Sequence, residues 1–200
     1  MLTSKPSDFH PSLRDEYLSL VAQWLLDEWY ATEDDLTRDT DGPYTRGTTR
    51  FGRQKQRITN EFLRGDYSWL GVENGGNDLV FTIGGIPCRF SNDSATAPTK
   101  KAVLEAHRFQ MPLLEEAEPD QAARFCFVVD PGVGDDSEPK VSLLGYNATG
   151  ILLCQWQSST TVRTLAIAKQ ELPQAVEVAK PVIAPKRRVA DNGTAAFAGP

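Results

Sequence analysis

Two hundred residues, 40% of them hydrophobic and four of them tryptophan, suit one folded domain plus a tail and supply enough apolar mass for a real core. A net charge of −6 excludes a chain built over its whole surface to coat a polyanion, although it leaves room for a local basic face. Three cysteines (88, 126, 154), no C-x-x-C pair and only two histidines, His10 and His107, argue against a disulfide framework or a zinc site, and for a reducing compartment.

The N-terminal residues lack an apolar signal core. No apolar run approaches the ~18 residues of a membrane span, so a cytoplasmic chain without membrane contact is expected. Residues 12–30 read as a helix with Ser12 as its cap and Asp15 and Glu16 in the first turn. Leu13, Tyr17, Leu20, Val21 and Trp24 make one stripe, and Leu18, Leu25, Leu26, Trp29 and Tyr30 widen it. So apolar a helix is either deeply buried or pairs with another surface. In the second case Trp24, Trp29 and Tyr30 are the candidate partner-binding residues, for a protein partner or a second copy of the chain.

Residues 31–47 read as a polar linker. Seven acids lie between Asp27 and Asp41, and the next stretch reverses sign: Arg46, Arg50, Arg53, Lys55, Arg57 and Arg64 stand against the single acid Glu61. A helix is expected over 48–63, with Phe51, Ile58 and Phe62 on one side and Arg50, Arg53 and Arg57 on the other. Arg50, Arg53, Arg57 and Arg64 are therefore candidate phosphate-binding residues. The alternative is that they pair with the acids of 27–41 or are simply solvated.

Strands are expected at 67–73, 79–83 and 86–90. The Gly84-Gly85 turn sets the last two as a two-residue hairpin that pairs Ile83 with Ile86 and Phe81 with Cys88. Pro87, which lacks an N–H, marks an edge or a bulge. A helix follows at 98–110, then an acidic loop over 112–120, and strands at 124–130, 140–146 and 150–157. A further strand at 161–168 is an option, and from Pro173 the composition turns to Ala, Pro, Val and Lys. The order α-α-βββ-α-βββ defines an α+β fold. The expectation is an antiparallel sheet of about six strands in two meanders, 67–90 and 124–157, with helices on one face. Residues 1–172 form the domain and 173–200 a disordered tail.

No catalytic constellation emerges, and no metal or cofactor is implied. Asp120 and Glu138-Pro139-Lys140 match the letters of PD-(D/E)xK nucleases, but they flank opposite ends of strand 124–130, about 20 Å apart at ~3.3 Å per residue. The acidic loop 130–138 lacks EF-hand spacing, and neither Gly-Gly pair fits a phosphate-binding loop. The run Gly85-Ile86-Pro87-Cys88-Arg89-Phe90, then Pro98-Thr99-Lys100-Lys101, then Gln110-Met111-Pro112-Leu113, resembles small uncharacterised bacterial proteins of mobile elements found beside repressor-type regulators. The resemblance spans residues 79–156 and carries over no functional residue. These observations favour a non-enzymatic protein acting through protein–protein contact, as a regulatory or accessory factor. A nucleic-acid-binding accessory protein using helix 48–63 is the alternative, and a metal-dependent hydrolase or nuclease comes third.

Overall fold

The computed structural model describes residues 4–132 and 137–159. Five helices and six strands follow one another: α1 (Pro6–Phe9), α2 (Asp15–Asp35), α3 (Pro43–Arg64), β1 (Leu70–Asn74), β2 (Val80–Ile83), β3 (Ile86–Asn92), α4 (Lys101–Leu104), α5 (Met111–Glu116), β4 (Arg124–Asp130), β5 (Lys140–Tyr146) and β6 (Leu152–Gln157). The strands form one sheet in the order β1-β2-β3-β4-β5-β6. The α+β class stands, but the sheet is mixed: every neighbour pair is antiparallel except β3 and β4, which run parallel. Two hairpin-built halves are thus joined by a crossover through residues 93–123, long enough to return the chain to the starting end of the sheet. The expected strand at 161–168, the 172 boundary and the tail 173–200 lie outside the described residues.

The β2–β3 hairpin has the expected register, Phe81 opposite Cys88, Thr82 opposite Pro87 and Ile83 opposite Ile86. Gly84 and Gly85 both have positive φ, 56° and 84°, as a type I′ turn demands. A Cβ on Gly84 would also stand 2.5 Å from the Cβ of Ser12. Ser12 therefore packs under the turn instead of capping a helix, and α2 begins after Arg14 with no side-chain cap. β3 is a central strand and not an edge. Pro87 is tolerated because the parallel ladder starts one residue later, at Cys88 opposite Phe125. Beside it the amide of buried Gln110 donates to the carbonyls of Pro87 and Phe125, at 3.3 and 3.2 Å.

Alternation divides the sheet into two faces. Phe81, Ile83, Cys88, Phe90, Phe125, Phe127, Val129, Val141 and Leu143 join one core with Leu18, Val21, Trp24, Leu25 and Trp29 of α2 and Ile58 of α3. The other face carries a small cluster of Cys126, Val128, Leu144 and Tyr146 under Val103 of α4. Helices therefore lie on both faces, because the crossover must pass over the side that α2 and α3 leave open. The expected helix 98–110 is reduced to α4. Residues past it turn back, and α5 occupies what reads as loop. Glu105 is extended, which ends the helical ladder, and its carbonyl accepts from Arg89. α2 and α3 also reach further than expected and shorten the linker to 36–42, with Pro43 at the first position of α3. No helix among the described residues is long and apolar enough to cross a membrane.

Candidate functional site: a cleft at the ends of the parallel strands

Trp24 and Trp29 are buried. Trp24 stacks near Trp69 and Tyr67, with ring centres 6.1 and 5.2 Å away. Trp29 lies beneath the guanidinium of Arg50, 3.3 Å from its ring centre. Tyr30 is half-buried against the same core. The apolar width of α2 is thus used in covering the sheet.

The four candidate phosphate-binding arginines are ion-paired, three of them across the α2–α3 seam. Arg50 pairs with Glu33, and Arg53 with Asp35 at 2.7 Å. Arg57 reaches Glu28 at 3.6 Å and Glu61 at 2.7 Å, and Arg64 joins Glu61 at 2.9 Å. The seam forms because the acids end one antiparallel helix and the bases begin the next, so short-range attraction closes the linker. Asp120 and Glu138 stand beyond opposite ends of β4, and among the described residues no cluster of three His, Cys, Asp or Glu could hold a metal ion.

Parallel pairing brings the C-terminal ends of β3 and β4 side by side, and a cleft of about 780 Å³ opens there. Its floor is apolar: Phe51 stacked on Phe90 with centres 5.0 Å apart, and Trp29. Tyr44, Gly47 and Thr48, in the first turns of α3, form one wall, and Tyr44 is 83% exposed. Asn92 and Asp93 at the end of β3, Asp130 at the end of β4, and Lys100 before α4 form the other.

The charged groups of this wall are held locally. Asp93 accepts the N–H groups of Ser94, Thr99 and Lys100 and the hydroxyl of Thr99. Burial pushes its carboxyl upward, but these donors outweigh it and hold it below the usual range. Asp130 accepts from the N–H of Ala95 and of Gly132, at 2.7 and 2.9 Å. The ammonium of Lys100 donates to the carbonyl of Asn92.

Asn92 is oriented by a relay from the core. The carbonyl of Leu25 can only accept, so buried Gln54 must turn its amide nitrogen there, at 2.9 Å. Its oxygen then faces Asn92 and takes that residue's Nδ2–H at 2.8 Å. Asn92 Oδ1 is left as a buried acceptor without a partner, and the Nε–H of Arg50 is a buried donor without one.

Of these cleft residues only Arg50 and Trp29 are singled out as candidates by the sequence. Ser91-Asn92-Asp93-Ser94 and Asp130-Pro131-Gly132 read as loops. The signal that could have joined them is the length of 93–123, which permits a crossover and hence a shared end for Asn92 and Asp130. No family model, curated protein or solved structure matches this chain.

Proposed function

We propose that the protein works by binding, without catalysing a reaction, and that the cleft at the ends of β3 and β4 is where it binds. The observation that carries this reading is the cleft itself: about 780 Å³ with an aromatic floor and a polar rim, at the carboxyl ends of parallel strands. Sites of roughly 300–1,000 Å³ with mostly apolar walls are characteristic of small-molecule binding, and the crevice outside the carboxyl ends of strands is where such ligands collect.

Binding is favoured over catalysis because the acids that line the cleft are already occupied as acceptors, and Asp93 among them is held below the usual range. The thiols lie elsewhere in the core. Burial, the larger cause in each, pushes Cys126 and Cys154 up to about 12, where the nucleophilic thiolate is scarce. A regulatory or accessory role fits such a chain, with the ligand as its signal. The paired state of the arginine seam speaks against the nucleic-acid alternative.

Gly47→Leu tests the reading. A Cβ at Gly47, which lines the cleft, meets nothing within 4 Å, so a side chain can be introduced there without a clash at its first carbon. Because glycine is a poor helix former, the variant should be unchanged in stability or gain up to about 1 kcal/mol. Small-molecule fragments titrated into the native chain, followed by amide NMR, should shift Gly47, Asn92 and Asp130 together, and the leucine variant should lose those shifts. Fragments that bind elsewhere, or bind the leucine variant equally well, overturn the reading.

A further inference from the structure

We infer that the ligand of the cleft is a flat, uncharged heteroaromatic molecule with both a hydrogen-bond donor and an acceptor on its edges, of the nucleobase kind. This rests on the cleft being the binding site. The class follows from what the cleft has already satisfied and what it has not. Its charged side chains already hold partners: Asp78 pairs with Arg89 and Arg50 with Glu33, while Lys100 donates to a carbonyl and Asp93 and Asp130 accept from backbone N–H groups. A charged ligand would compete with these partners.

What remains open is one hydrogen-bond acceptor and one donor. Asn92 Oδ1 wants a donor, and the Nε–H of Arg50, a side chain only 14% exposed, wants an acceptor. Buried polar groups without partners are rare and mark a missing ligand or water. The identity of the acceptor is secured by the Leu25–Gln54–Asn92 relay, since no flip of either amide keeps both of its hydrogen bonds. Arg50 and Asn92 both line the cleft, so the unpaired donor and acceptor can be answered by the edge of a flat heteroaromatic ring. The aromatic floor offers apolar contact to such a ring, and exposed Tyr44 offers a face on which it can stack.

Five probes decide it: adenine (donor and acceptor), indole (donor only), quinoline (acceptor only), benzoate and benzylamine, each titrated near neutral pH into the full chain and followed by amide NMR. Adenine should bind tightest and the two ions weakest. Asn92→Ala should weaken adenine and indole about tenfold, the loss of one hydrogen bond, while quinoline, which gives Asn92 no donor, is unaffected and reports that the site is intact. The native ranking needs no variant and stands if Asn92→Ala fails to fold. A charged probe binding tightest, or adenine binding no better than indole and quinoline, overturns the ligand class and leaves the cleft reading in place. If no probe shifts the cleft amides, both fall.

Discussion

The two faces of the sheet are both buried, but by opposite means. Under α2 and α3 the strands present phenylalanine, leucine, isoleucine and valine to tryptophan and leucine, and the contact is apolar but for buried Gln54 and its bonds to Leu25 and Asn92. On the crossover side the same strands present Thr82, Arg89, Ser91, Arg124 and Ser142, all buried, around the small cluster of Cys126, Val128, Leu144 and Tyr146. Arg89 is held by Asp78 and by the carbonyl of Glu105, and Arg124 lies 4.6 Å over the ring of Tyr146. The first face derives its stability from area removed from water, which is insensitive to exact geometry. The second depends on each polar group finding its partner, so its cover must be specific. That difference accounts for the crossover's form: short helical turns, with backbone carbonyls exposed where an arginine can reach them.

The largest effect expected is on the first face. Phe81 is fully buried beside Phe127, and Phe81→Ala should cost about 3–5 kcal/mol in chemical denaturation. A loss below about 1 kcal/mol would show that this face is not the main core.

Arg89→Met probes the second face. The variant loses a hydrogen bond and an ion pair, but Asp78 is 59% exposed and rehydrates once released. The cost should therefore be about 1–2 kcal/mol by the same measurement, below the ~3–5 kcal/mol of breaking a wholly buried pair. A loss equal to that of Phe81→Ala would erase the proposed distinction between the faces.

The smallest effect is pH-dependent and confined to the second face. Burial holds His107 below the ordinary histidine value; Asp78 pulls it up, while Arg89 and Arg108 push it further down. The unfolded chain thus takes up this proton at higher pH than the folded one. The contribution is complete above the unfolded value of about 6.5 and is lost as pH falls through the lower folded value. Urea midpoints measured between about pH 5 and pH 8 should decline on the acid side, and His107→Gln should flatten that part of the curve. An unchanged slope in the variant would remove His107 from the account.

Residue patterns exposed the first face and much of its cover. The Gly84-Gly85 turn, the alternation of Phe125, Phe127 and Val129, and the stripe of α2 are local signals with local causes, and each reappears in the structure. The arginines of α3 were legible as a charged stripe, and their partners were visible as acids upstream. The crossover was not legible. Lys101–Leu104 stops as a helix where Glu105 turns extended and presents its carbonyl to Arg89, a strand residue distant in sequence. Gln110, which reads as the end of a helix, instead bridges the start of two strands.

The sequence by itself determined the six described strands and the two long helices α2 and α3, the register of the central hairpin, and the balance of charge between α2 and α3, because turn geometry, side-chain period and like-signed runs act over a few residues. Only the tertiary structure decided that β3 and β4 run parallel, that both faces are covered, and that Asn92, Arg50 and Asp130 meet around one cleft. The physical reason is that strand direction depends on where the crossover returns the chain. Arg89 finds a backbone partner in that crossover, and Gln110 of the crossover finds two on the strands, far along the sequence, and no local pattern encodes those contacts.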